Sequence, residues 1–322
     1  MSMKPCAAWA AMLTAAALLP AGCGLSNAGA QGPKPAQVLK TRLAAFVSAP
    51  SVALDGTVSM EGTTYQVTLS EDGQFRAQGT IAVNHQPVVL TWTGEQLFLK
   101  SADYFTAQQL YVGTRWVLTR SDKLQALVAK LANRRELADA FAALAGADVA
   151  QRAGGALNGV RTMQLTSDTA TATVPAAGGA PLRLATAVDQ ALSDGLSDLK
   201  LNVSVTPVAM TVTPPPAPYV DLGNLNTLPA YFEQVSEPAD SFRFESCDAR
   251  GCTLAVDFRN QGGRVGASTA TFYILQSSSR AASCTVSIPA TDHGSTVRAG
   301  CRVNWNMNAG DSQGSVDVTN PQ

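Results

Sequence analysis

Ser51-Val52-Ala53-Leu54-Asp55-Gly56-Thr57-Val58-Ser59-Met60 is the stretch from which the fold can be read. Successive side chains of an extended chain point to opposite faces, so Val52, Leu54, Gly56, Val58 and Met60 share one side and Ala53, Asp55, Thr57 and Ser59 the other. This is the pattern of a half-buried strand. The alternation recurs in Tyr65, Val67 and Leu69, in Phe75, Ala77, Gly79, Ile81 and Val83, in Val88, Leu90 and Trp92, and in Leu97 and Leu99. Between these runs stand turn residues: Glu61-Gly62, Glu71-Asp72-Gly73, Asn84-His85-Gln86-Pro87 and Gly94-Glu95. Consecutive strands joined by short turns predict an antiparallel meander.

Outward from the meander the period changes to that of a helix. Upstream, Val38, Leu39, Leu43 and Phe46 predict a helix over 37–46. Downstream, Ser121-Asp122 supplies an N-cap ahead of Leu124, Leu127, Val128 and Leu131, Asn133 interrupts, and a second helix runs over 136–144 to Gly146. Strands resume at 160–166, 170–174, 182–185, 199–205 and 208–212. The sum is an α+β pattern, a curved antiparallel sheet of about ten strands joined by a few helices.

Composition shifts at 211–218, where Pro214, Pro215, Pro216 and Pro218 impose extended geometry and withhold backbone donors. Beyond it, Leu222, Leu225, Leu228, Tyr231 and Phe232 fit a short docking helix or loop. Segments 241–244, 253–258, 268–275, 284–288, 295–299, 301–305 and 315–318 read as short strands at regular spacing. About seven such strands predict an all-β, immunoglobulin-like sandwich. The divisions expected are therefore 37–213, a proline-rich linking and docking segment 214–240, and 241–322.

The first residues carry one charge at Lys4, then an apolar run over 7–19 that is shorter than the roughly 20 residues of a spanning helix. It reads as a secretory signal peptide. Leu19-Pro20-Ala21-Gly22-Cys23 resembles a bacterial lipobox, with proline at position 20 where that motif usually has leucine. The resemblance implies a signal peptide of residues 1–22, lipidation of Cys23, and a flexible tether over 23–36 holding the protein at the outer face of a membrane. The competing site, Ala28-Gly29-Ala30, would release a soluble, secreted or periplasmic protein starting at Gln31.

Lys and Arg number 23 against 24 Asp and Glu, and charged residues make up only 15%, so no basic surface for nucleic acid is expected. Four cysteines cluster late, at Cys247, Cys252, Cys284 and Cys301. In an exported chain they predict two disulfides rather than an all-cysteine zinc site. Cys247 with Cys252 and Cys284 with Cys301 is the expected pairing of three possible ones.

The order of elements carries a further resemblance. An N-terminal helix, a strand meander, two helices after Gly113-Thr114-Arg115-Trp116-Val117, then Asn158-Gly159-Val160-Arg161-Thr162, Gly179-Ala180-Pro181-Leu182-Arg183-Leu184 and a closing hairpin into the triple proline resemble the LolA-like and LppX/LprG-like lipid-carrier lipoproteins. What this implies is a half-barrel covered by helices that holds a lipid, glycolipid or acyl chain. On that expectation Val52, Leu54, Val58, Tyr65, Val67, Phe75, Leu90 and Trp92 are candidates to line the cavity. The alternative is a packed barrel serving as a structural, interaction or sensor module. Val256-Asp257-Phe258-Arg259-Asn260-Gln261-Gly262-Gly263 resembles CARDB-like bacterial surface modules, which implies contact with another envelope component.

Catalysis is not expected. His85 and His293 sit in polar, turn-like settings, and Ser295, His293 and Asp292 are too close in sequence for triad geometry. No nucleophile elbow, phosphate loop, dinucleotide fingerprint or calcium loop is present, so neither a cofactor nor a metal is expected.

Overall fold

The structure, a computed structural model, describes residues 32–187, 190–192, 199–235, 242–276, 279–305 and 312–321. The chain divides into Met1–Lys34, of which only the exposed, irregular residues 32–34 are described, and Pro35–Gln322. The signal peptide, Cys23 and both cleavage sites lie outside the described residues. No described helix is long and apolar enough to cross a membrane.

The second unit opens with α1 (Pro35–Ser48), followed by β1 (Ser51–Met60), β2 (Thr63–Asp72), β3 (Ala77–Val83), β4 (Gln86–Trp92) and β5 (Leu97–Lys100). A short α2 (Ala102–Thr106), β6 (Val117–Thr119), α3 (Asp122–Ala132) and α4 (Arg134–Ala145) come next. The chain returns through β7 (Ala150–Leu157), β8 (Val160–Thr166), β9 (Ala170–Pro175), β10 (Arg183–Thr186) and β11 (Lys200–Pro207) to β12 (Val220–Asp221). All twelve strands form one sheet in the order β12-β6-β5-β4-β3-β2-β1-β11-β10-β9-β8-β7. It is antiparallel except where β12 runs parallel to β6, so the α+β class holds, with strand predominant.

The helices form because their apolar residues recur at helical spacing, and they cover one face of this sheet. Leu39, Leu43 and Phe46 of α1, Leu127 and Leu131 of α3, and Leu137 and Phe141 of α4 share a core with Val52, Leu54, Val67 and Leu90. Asn133 does more than interrupt. It ends α3 and caps α4, its Oδ1 accepting from the Glu136 N–H at 3.2 Å while its Nδ2 donates to Glu136 Oε2 at 3.0 Å.

Several elements depart from the sequence reading for identifiable reasons. Segment 208–212 is not a strand. The ladder of β11 stops at Pro207, and the backbone N–H groups of Met210 and Val212 donate instead to Ser51 Oγ and Asp72 Oδ2. Strand β7 lacks apolar alternation because it is the exposed edge of the sheet. The two strands expected at 295–299 and 301–305 are one, β18 below. Gly300 does not break it; a Cβ there would press on the Leu254 carbonyl and Ala255 of the neighbouring strand.

After a 3-10 turn at Leu225–Thr227 come β13 (Phe232–Gln234), β14 (Phe242–Asp248), β15 (Gly251–Asn260), β16 (Ser268–Gln276), β17 (Ser279–Ile288), β18 (Thr296–Val303) and β19 (Ser312–Thr319). Strand β15 pairs with β13 and β14 and with β18, while β16 lies between β17 and β19. The two sheets share a second core of Phe232, Leu254, Val256, Phe258, Phe272 and Ile274, with Phe258 and Phe272 meeting edge-on at 6.4 Å. The disulfides pair Cys247 with Cys252 and Cys284 with Cys301, and the second joins β17 of one sheet to β18 of the other. Closing that loop contributes roughly 3 kcal/mol in the chain-entropy picture.

The segment between the cores is tied down through Asn260, which is 0% exposed. Its Oδ1 accepts from the N–H groups of Tyr231 (3.1 Å) and Gly262 (3.0 Å), and its Nδ2 donates to the carbonyls of Gly263 (3.0 Å) and Thr291 (2.7 Å). Gly262 and Gly263 run against the backbone of 225–231 so closely that a Cβ at either would strike a carbonyl oxygen. Leu225 and Leu228 of this segment pack on the first core and Ala230 and Phe232 on the second. The expected docking segment is thus a strand, a turn and a strand.

Candidate functional site

A groove of about 840 Å³ lies between α1 and α4. Its walls come from one stripe of each helix. Ala36, Lys40, Leu43, Ala44 and Val47 recur at three- and four-residue spacing on α1, as do Arg135, Ala138, Asp139, Ala142 and Ala143 on α4. Alanine is the reason for the trough. Its short side chain keeps the helix intact while leaving the space between the two axes unfilled. The volume falls within the range of about 300–1,000 Å³ usual for small-molecule sites. Lys40, Arg135 and Asp139 are exposed, placing two cations and one anion about an apolar floor.

One end of the groove is fixed by a buried contact between a guanidinium and a carboxyl. Arg134, 4% exposed and the first residue of α4, contacts the Glu71 carboxyl at the end of β2 through Nε. Its Nη1 donates to the carbonyls of Phe46 (2.9 Å) and Ala49 (2.6 Å) at the end of α1, the first of which also accepts from the Ala49 N–H at 3.4 Å. One side chain therefore holds both groove helices to the sheet. Neither Glu71 oxygen accepts a well-formed hydrogen bond, so burial dominates over the attraction of Arg134, and with the charge of Asp72 alongside it pushes the carboxyl up to about 9. Asp72 goes the other way. Burial alone would raise it, but the Arg76 side chain and the N–H groups of Gln74, Val212 and Arg76 together hold it below the usual carboxylate range.

The residues singled out in the sequence fall into distinct places. Val52, Leu54, Val58, Tyr65, Val67, Leu90 and Trp92 are buried in the first core, facing the helices, and none of them borders the groove. Phe75 is not on the inner face: it occupies the turn before β3 with φ 58° and is 52% exposed. The period-two reading failed there because the strand starts two residues later, at Ala77. His85 is an exposed turn residue with φ 66°. His293 Nδ1 lies 2.8 Å from the Gly262 carbonyl, Asp292 pairs with Arg264 at 2.5 Å, and Ser295 Oγ lies 2.7 Å from Thr291 Oγ1. Ser295 Oγ also donates to the Asp292 backbone carbonyl at 2.6 Å, and no hydrogen bond joins the three side chains to one another among the described residues. The groove stripes went unread because alanines at helical spacing look like helix propensity, and nothing local announces that two such stripes face each other.

The protein is thus a strand-rich α+β chain with an apolar interhelical groove on its covered sheet. No family model matches it, and no curated protein does. Among solved structures, the crystal structure of LprF from Mycobacterium bovis is similar over 57% of this chain and 97% of that one, with a TM-score of 0.39 and 13% identity. That likeness is too slight to carry a fold or a function across.

Proposed function

We propose that this is an exported, non-catalytic envelope lipoprotein that binds the acyl chain of a lipid or glycolipid in the groove between α1 and α4. The observation that carries the reading is the groove itself, an open apolar trough flanked by Lys40 and Arg135. A chain laid along it removes apolar surface from water at roughly 25 cal/mol per Å². The two cations suit a polar or anionic headgroup at the rim. In this reading, residues 37–213 are a half-barrel covered by helices, 214–240 link it to an immunoglobulin-like sandwich over 241–322, and the sandwich offers a surface to an envelope partner. The site differs from the cavity expected between sheet and helices, since the inner-face residues are packed. That packing favours the second reading, a surface interaction or sensor module without cargo.

Mass spectrometry of solvent extracts from the purified protein separates the two. Stoichiometric lipid is expected with the native protein, and at least about a tenfold loss in the double variant Ala44→Trp, Ala142→Trp, which fills the trough from both walls. Equal lipid in a folded double variant, or a native protein always empty, would leave the interaction reading standing. The anchor is tested separately. Cys23→Ala is expected to move the protein from the membrane fraction to the soluble one and to remove the acyl mass; unchanged fractionation and mass would refute lipidation.

A further inference from the structure

We propose a second site, on the opposite face of the sheet from the helices, where strands β2 to β4 and Trp116 bind a neutral saccharide. Alternation places Thr68, Thr80 and Val89 in one outward cross-strand row and Ser70, Gln78 and Thr91 in the next. Beside these rows stands the part-exposed indole of Trp116, just ahead of β6, and the whole encloses a trough of about 420 Å³.

Outward serines and threonines are ordinary on the wet face of an antiparallel sheet. Two observations set this patch apart. Thr91 is only 4% exposed yet lines the trough, into which it carries a hydroxyl. A ligand that filled the trough and left this hydroxyl unpaired would bear the cost of its lost hydration. Second, Trp116 supplies a large flat apolar surface at the edge of neutral donors and acceptors, with the Lys100 ammonium 5.8 Å from its ring centroid.

The chemistry of the trough selects the ligand class. An apolar ligand would bury Thr91, Thr80 and Gln78 without returning their hydrogen bonds. An ionic ligand finds no charged side chain among the described residues that line the trough. A sugar ring meets both demands, with C–H groups laid on the indole and hydroxyls directed at Thr91, Thr80 and Gln78. The site shares no lining residue with the α1–α4 groove, so it stands or falls independently of the lipid reading.

The test is calorimetric titration of the purified full-length protein with cellohexaose, maltohexaose, mannohexaose and chitohexaose, with tryptophan fluorescence followed in parallel. Saturable binding of at least one is expected, with a fluorescence change that Trp116→Ala abolishes. Trp116→Ala should weaken binding about tenfold or more, and Thr91→Val, which keeps the shape and removes the hydroxyl, about threefold to tenfold. The Ala44→Trp, Ala142→Trp protein should bind the sugar as the native protein does. No binding of any of the four at millimolar concentration, or equal affinity in Trp116→Ala and Thr91→Val, overturns the proposal.

Discussion

Replacing Arg134 by methionine is expected to lower folding stability by about 3 kcal/mol, measured as a fall in the urea midpoint at constant slope. The methionine fills most of the volume but donates nothing. The carbonyls of Phe46 and Ala49 lose the guanidinium as donor, although Phe46 keeps its bond from the Ala49 N–H, and Glu71, 1% exposed, loses the cation it contacts. Glu71 escapes part of the penalty by keeping its proton, so the loss should grow with pH. The native protein carries the same sign. A carboxyl raised from 4.5 to about 9 holds a proton in the folded state that the unfolded state has already released. Stability from this group is full below about pH 4.5 and is lost as pH rises toward 9, at no more than about 1.4 kcal/mol per pH unit. The depressed Asp72 acts in reverse, its contribution present above its ordinary range and lost as acid protonates it. Together they place the optimum on the mildly acidic side. Glu71→Gln should flatten the alkaline slope, and an unchanged slope would show that the pair is not its source.

Asn260→Ala should remove on the order of 3 kcal/mol and separate the unfolding of the two cores. The side chain completes two N–H groups and two carbonyls, and alanine can replace none of these four bonds. Tyr231 and Gly262 lie at the crossing between the linking segment and the end of β15. Calorimetry should show one transition in the native protein resolving into two in the variant. A single, merely shifted transition would mean that the cores are coupled elsewhere, for instance through the stacked rings of Tyr111 and Tyr231.

The meander and the helix pair were legible because their signals are local. A buried face repeats every second residue in β1 and β2, and α3 and α4 announce themselves through Ser121, Asn133 and Gly146. What failed to show in the sequence depends on neighbours far along the chain. Gly300 divides the strands expected at 295–299 and 301–305 until β15 is seen pressing against it, and the sequence signals no element at β7 because an exposed edge strand has no face to bury. Nothing local in the sequence marks Arg134 as buried, since its partners at 46, 49 and 71 lie more than sixty residues upstream. The candidate sites share this property. Thr91 and Trp116, like Ala44 and Ala142, mean little singly and acquire a role only when the fold sets their elements side by side.

The placing of β1 also governs the order in which the molecule can be made. Although it is the first strand synthesised, it lies in the middle of the sheet, paired on one edge with β2 and on the other with β11, roughly 150 residues later. A chain emerging from its N-terminus can fold β1 through β6 as a unit, but one side of β1 must wait, unpaired, until residue 207 is available. An unpaired strand with a buried face invites association with other chains during that interval. Asp55 and Gly56 occupy the centre of that waiting edge, and both are poor partners for a foreign strand. A Cβ at position 56 would collide with the Asn202 carbonyl of β11, so the glycine that the finished sheet requires also makes the unfinished one a weaker template.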